Sequence, residues 1–329
     1  MTEEKAKNIY LFYGEDTYMS SQKVNFWKDQ FVKKYGEDAN IQVINDKKID
    51  INKLGTDITS VPFLCDKRLI IVKDLLNNLK PEDQKKFAKF LEKTPDFCIL
   101  VFHETVKFDK TRSLFKKIKA IGKIEEFKPM SLRDLQNWTL KQAQQKKINI
   151  DPFTINFLIQ HCGTELWRLS SELDKLATYA NNEKITKEMI EQLVPASLSA
   201  SIFKLTDSLA TKNTKESLRT LSLLKQTGQD ITRVFFMIVR HYRILIQVKD
   251  MYERNENKAS ITKRLRQHPF VIQKSLAQCN MIDLNRLKKI YENLLEIDKG
   301  FKTGRIKIIQ QDDSQYLLAI EKLIINCCK

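Results

Sequence analysis

Glycine and proline are scarce in this chain, eight and seven among 329 residues. So few turn formers argue against a turn-rich, all-β protein and for long helices. Long apolar runs are missing too. The longest, such as Val234–Val239, fall far short of the roughly 20 residues of a membrane helix. The six cysteines (65, 98, 162, 279, 327 and 328) form no CxxC or finger spacing. Cys327 and Cys328 are adjacent, which suits neither an ordinary disulfide nor a zinc knuckle, so reduced thiols and no metal site are expected. His161 and Cys162 are neighbours in sequence, which does not aim an imidazole at a thiol. Met1–Lys7 has no apolar signal core, so nothing marks export and a cytoplasmic protein is expected.

Acidic charge is in deficit: 41 Asp and Glu against 57 Lys and Arg, a net +16. The imbalance is uneven. Residues 1–128 hold 25 basic and 20 acidic residues, 129–197 hold eight of each, and 198–329 hold 24 and 13. A basic final third suggests a polyanionic partner, most simply nucleic acid, although excess lysine also keeps helical proteins soluble. At this length two or three domains are expected.

The chain opens with alternating strands and helices. Asn8–Tyr13, Ile41–Ile44, Leu69–Val72 and Phe97–Phe102 read as strands, with Lys123–Phe127 at an edge. Strands this uniformly apolar belong to a mainly parallel sheet covered on both faces. Helices are expected after Gly14 to about Tyr35, over Lys53–Ser60 and from Pro81 to about Leu91. The strand, Gly14 turn and helix at the start have the topology of a nucleotide site. A phosphate loop in that register would need Gly and Lys where Met19 and Ser20 stand, so its backbone wrap and its cation are both missing. No cofactor is expected there. His103 and Glu104 follow a strand, where catalytic residues can sit; with no phosphate loop or metal partner they read as ordinary loop residues.

After Pro129 the pattern is helical only. Leu132, Leu135, Trp138 and Leu140 mark one helix. A second is capped by Asp151 with Pro152 in its first turn. Leu166, Leu169, Leu173 and Leu176 stripe a third after Gly163. From Leu198 a further helical region runs through 202–211, 214–227, 231–254, 260–265, 269–279, 284–300 and 306–326, with Gly300 and Gly304 framing a break before the last helix.

One stretch stands apart: Ser60–Arg68, SVPFLCDKR, leading into Leu69–Val72. Pro62 stops a helix and biases Val61 toward extended backbone. Phe63 and Leu64 then sit at a helix-to-strand junction with Asp66, Lys67 and Arg68 behind them. Two readings fit: an apolar knuckle facing solvent and rimmed by charge, as at a binding hot spot, or two side chains tucked under the sheet. Local pattern alone favours the second.

Taken together, Tyr10–Asp16, Pro62–Leu69, Gly163 through Glu172–Leu176, His268–Phe270 and Asp298–Gly304 occur in the order found in one family. The chain resembles the delta subunits of bacterial DNA polymerase III clamp loaders, from end to end. The resemblance implies an AAA+ (RecA-like) parallel-sheet domain without a phosphate loop (1–128), a helical lid (129–197) and a helical collar for oligomerisation (198–329): α/β plus all-α. It implies no ATP hydrolysis by this chain, which would act as a non-catalytic subunit of a DNA-directed DNA polymerase holoenzyme. Leu166 stands where active relatives carry a sensor arginine, no Ser-Arg-Cys finger occurs, and the four-cysteine zinc module of the motor subunits is missing.

By resemblance the clamp-binding wedge is Val61, Phe63 and Leu64, although many relatives carry an aromatic at the place of Leu64. The implied partners are the sliding clamp (beta subunit), the ATP-hydrolysing gamma/tau subunits and delta prime through the collar, and primed DNA at the replisome. Lys299, Lys302 and Arg305 would lie near phosphates, or simply form a solvated helix face. Two rivals remain at this stage: a free-standing AAA+ loader of another replication factor, and a stand-alone basic helical DNA-binding protein with a steep salt dependence.

Overall fold

Five short strands pair into one sheet in this computed structural model, which describes residues 8–36, 38–46, 48–307 and 312–328. Residues 1–7, read above as lacking an export signal, and part of the expected last helix lie outside that set. The strands are β1 (Ile9–Gly14), β2 (Ile41–Ile44), β3 (Arg68–Lys73), β4 (Cys98–Glu104) and β5 (Lys123–Phe127), in the order β2-β3-β4-β1-β5. Every neighbouring pair is parallel. With α1 (Thr17–Tyr35), α2 (Ile51–Thr59), α3 (Leu75–Asn78), α4 (Pro81–Phe90) and α5 (Ser113–Ile121), they form the first of two compact units, Met1–Met130.

Side chains alternate across the sheet, so both faces are buried. Phe12, Leu69, Ile71 and Val101 pack under α1 with Val24 and Phe31. Ile9, Leu11, Ile70, Val72, Leu100 and Phe102 pack on the other side with Leu54 and Ile58 of α2, Phe87 of α4 and Leu114 and Ile118 of α5. The fold class is the expected one, a parallel α/β sheet domain followed by helices only. Helices α3 and α5 add to the elements expected from sequence. His103 and Glu104, expected in a loop, lie instead within β4, which buries both. Their polar side chains ended the apolar run in sequence, yet polar groups inside the fold hold them in the strand.

The second unit, Ser131–Lys329, is helical throughout its described residues. It begins with α6 (Leu132–Gln145), α7 (Pro152–Cys162), α8 (Leu166–Ala180) and α9 (Lys187–Leu193). Asp151 caps α7 by accepting from Thr154 N at 2.8 Å, as its spacing predicts. Then come α10 (Leu198–Ala210), α11 (Thr214–Gln226), α12 (Ile231–Glu253), α13 (Lys258–Leu265), α14 (Pro269–Cys279), α15 (Leu284–Lys302) and α16 (Ser314–Cys328). Helix α12 is the axis of that core: Val234, Phe235, Ile238, Tyr242 and Leu245 are all buried among α10, α15 and α16.

Two of the boundaries that differ from expectation lie near Gly300 and Gly304. Gly300 lies inside α15 and frames no break; the helix ends at Thr303, with Gly304 at φ +76° and Ile306 N–H closing on Gly300 O. The last helix starts at Ser314 rather than Ile306, since Asp312 accepts from Ser314 N and holds a turn there. None of the described helices is long and apolar enough to cross a membrane.

Candidate functional site

Because all strands run the same way, the loop entering β3 lies at the N-terminal edge of the sheet. Helix α2 ends at Ser60, whose backbone is extended ahead of Pro62. The chain then turns through residues 61–67, leaving Val61 78 %, Phe63 67 % and Leu64 89 % exposed. The solvent-facing reading is the right one. Few large apolar side chains in the described structure are so bare, and three of them share one loop.

The loop is anchored from behind. Asn40, only 7 % exposed, donates through Nδ2 to Phe63 O and accepts at Oδ1 from Phe63 N–H, both at 2.6 Å. This paired bond fastens the Phe63 peptide to the residue entering β2. Lys67 Nζ donates to Asp96 O at 2.8 Å, and Arg68 donates to Gln42 Oε1 at 2.6 Å. Leu64 takes the left-handed conformation, φ +52°, which costs a branched residue about 1 kcal/mol or more. Strain of this kind gathers where side-chain placement matters more than stability. Asn40 was invisible in the sequence, standing 23 residues before its partner; only the β2–β3 pairing brings the two together.

The opposite edge holds the residues read as a degenerate nucleotide slot. Gly14 ends β1 at φ +143°, and only Glu15 and Asp16 separate it from the start of α1. Asp16 fills the helix head itself: its Oδ1 accepts from Met19 N at 2.9 Å. A phosphate at a helix N-terminus would use the same backbone donors. Ser20 is buried and paired with His103 Nε2 at 3.0 Å, so its hydroxyl faces inward. Burial raises the Asp16 carboxyl and lowers the His103 imidazole.

Glu104 is the most perturbed acid of this edge. Its Oε1 accepts from Leu76 N at 2.9 Å, whereas Oε2 is buried without a hydrogen-bond partner. Burial, opposed by backbone N–H groups of α3, pushes its pKa up to about 7. A carboxyl that ionises near 4.5 when unfolded and near 7 when folded binds its proton more tightly in the native state, so stability falls as pH rises between those values and is flat above them. Glu104→Gln keeps an acceptor for Leu76 and removes the buried charge. The N-terminal unit is expected to gain about 1–2 kcal/mol at pH 8 and almost nothing at pH 5, measured as urea midpoints at the two pH values.

The three cations near the end of α15 are each held by acids. Lys299 meets Glu296 at 2.9 Å, Lys302 meets Asp298 at 2.7 Å, and Arg305 lies 4.0 Å from Glu296. Among the described residues no group of three or more His, Cys, Asp or Glu side chains has the arrangement to hold a metal ion.

Two models for the delta subunit of DNA polymerase III match this chain, one over residues 10–128 and one, for its C-terminal domain, over 199–311. The chain belongs to the DNA polymerase III delta-subunit family. Between those stretches, a model described only as a middle domain matches residues 131–192. The delta-family relatives include DNA polymerase III subunit delta of Bacillus subtilis (strain 168), 25 % identical over 322 residues that cover 95 % of this chain and 91 % of the relative. Another is the probable DNA polymerase III subunit delta of Aquifex aeolicus (strain VF5), 21 % identical over 267 residues, covering 78 % and 75 %. The solved structure of the Bacillus subtilis DNA clamp loader delta protein superimposes with a TM-score of 0.65, at 22 % identity over 98 % of this chain and 96 % of that one. The delta fold thus extends over both units.

Proposed function

We propose that this chain is the clamp-gripping subunit of its clamp loader. It inserts Val61, Phe63 and Leu64 into an apolar pocket on the sliding clamp and springs one interface of the ring open for loading onto primed DNA. ATP is hydrolysed by the gamma/tau subunits, which it joins with delta prime through the collar. Residues 1–128 serve as the wedge-bearing domain, 129–197 as the lid and 198–329 as the collar; the split into compact units near residue 130 and the separate family matches support that division.

The observation that carries the reading is the loop itself: bare apolar tips on a peptide clamped at both its N–H and C=O. An anchor held ready in this way loses little freedom on binding, and that is how a short motif reaches useful affinity. The self-filled head of α1 supports a role in which neighbours supply the nucleotide chemistry. The test is titration of this chain with the sliding clamp of its own organism, beside a Phe63→Ala/Leu64→Ala variant. Saturable binding lost in the variant supports the assignment. Equal binding by both moves the contact off this loop, and no binding by either refutes the reading.

Asn40 gives a finer test. Asn40→Ala leaves every apolar tip in place but frees the Phe63 peptide. Clamp affinity is expected to fall about 5- to 10-fold, matching the roughly 1 kcal/mol or more of ordering that binding must then supply. A larger share of the loss should fall on the association rate than in the Phe63 variant, since fewer encounters find the loop in its docking shape.

A further inference from the structure

Helix α12 buries one side in the core of the second unit and presents the other to solvent. On the exposed side stand Arg233, Phe236, Arg240 and Arg243. Their spacings of three, four and three residues keep all four within one narrow face. The stripe is about 15 Å long at 1.5 Å per residue. Phe236, 44 % exposed, stands between Arg233 and Arg240 along this face of the helix.

These arginines differ from the cations at the end of α15. Among the described residues none of the three makes an ion pair; Arg240 donates to the neutral amide of Gln267 at 3.0 Å. Arg243 also lines a shallow groove of about 240 Å³ with Lys288 and Tyr291 of α15, Glu292 being the one acid there. Unneutralised charge on this face therefore exceeds that around Lys299, Lys302 and Arg305, where Glu296 is shared by Lys299 and Arg305 and Asp298 pairs with Lys302.

We propose that this face of α12 is a track for single-stranded nucleic acid, with phosphates on Arg233, Arg240 and Arg243 and an unpaired base stacked on Phe236. The residue types choose the ligand. A guanidinium offers a planar fork that fits a phosphate through two donors. An exposed aromatic set among such forks is of no use to a duplex backbone, whose bases are stacked inside, but it takes the face of an unpaired base. An acidic peptide would satisfy the arginines and leave Phe236 without a role. The track is separate from the clamp-binding loop and does not depend on it.

The experiment is fluorescence anisotropy of the full chain with an oligothymidylate of roughly 15 nucleotides, a length within the range bound by single-strand grooves, across a salt series. Wild type is expected to bind with a log–log salt slope near −2, as three phosphates at about 0.7 each require. Arg233→Gln/Arg240→Gln/Arg243→Gln should weaken binding at least about 10-fold at low salt and bring the slope toward zero. Phe236→Ala should lose about fivefold or more on the thymidylate strand and nothing on an abasic strand of equal length. Lys299→Gln/Lys302→Gln and Phe63→Ala/Leu64→Ala should bind the strand as wild type does.

Four results would overturn the proposal: no binding by wild type, an unchanged slope in the triple variant, an equal Phe236→Ala loss on the abasic strand, or losses carried by the Lys299 and Lys302 variant instead. Competition by polyglutamate as effective as by the strand would also overturn it, because the face would then read acidic protein rather than nucleic acid. Circular dichroism checks that each variant is folded, and clamp binding by the same samples keeps this outcome separate from the clamp assignment.

Discussion

Phe63→Ala/Leu64→Ala is expected to weaken clamp binding by at least about 100-fold while leaving the unfolding midpoint within about 0.5 kcal/mol of wild type. Burying a phenylalanine and a leucine removes apolar surface worth about 1.5–3 kcal/mol each, and central anchors of an interface commonly cost 2 kcal/mol or more when truncated. Both side chains are largely free of contacts inside the protein, so their removal opens no cavity. A sharper version uses Leu64→Gly. Leu64 holds φ +52°, and glycine adopts that geometry without the side-chain clash. This single change should raise stability by up to about 1 kcal/mol and still lower clamp affinity about 10-fold or more. Stability and binding moving in opposite directions would mark the loop as built for contact. Isothermal titration and urea unfolding on the same preparations decide it.

The second large effect lies at the other edge of the sheet. Gly14→Ala is expected to destabilise the N-terminal unit by roughly 3 kcal/mol or more, seen as a lower urea midpoint. A Cβ at this position would lie 2.0 Å from Phe127 O, closer than any real contact, and the backbone stands at φ +143°. That carbonyl is also the acceptor for Asp16 N–H at 3.1 Å. Relief requires β5 to part from β1 or the head of α1 to shift, and either breaks hydrogen bonds in the sheet's last pair. Gly228, at φ +75° with nothing near its missing side chain, is the control: Gly228→Ala should cost only about 1 kcal/mol. The glycine that looked like a remnant of phosphate binding is thus required by the fold. It permits a strand to become a helix within two residues.

Much of this architecture was legible because periodicity and burial agree. The apolar runs Leu69–Val72 and Phe97–Phe102 could only be strands covered on both faces, and Asp151-Pro152 could only open a helix. Helix α5 was also written plainly, in the spacing of Leu114, Phe115 and Ile118, yet its lysine-rich turns blurred the pattern. Exposure of Phe63 was not legible: a Val-Pro-Phe-Leu junction looks the same whether its side chains point in or out, and long-range contacts decide which. The Asn40 clamp depends on two strands being neighbours in space. The arginine face of α12 was present in sequence as basic composition. It became a surface only once the buried side of the same helix was known.

Asp16 at the head of α1 bears on timing. A carboxylate fixed to the chain has a local concentration that no metabolite pool can alter. The Met19 N–H that it holds at 2.9 Å therefore has a constant partner supplied by the chain itself. In an assembly that works through a cycle, such a member is a fixed reference. On the function proposed above, it would supply the grip, and its neighbours would set the schedule for using that grip.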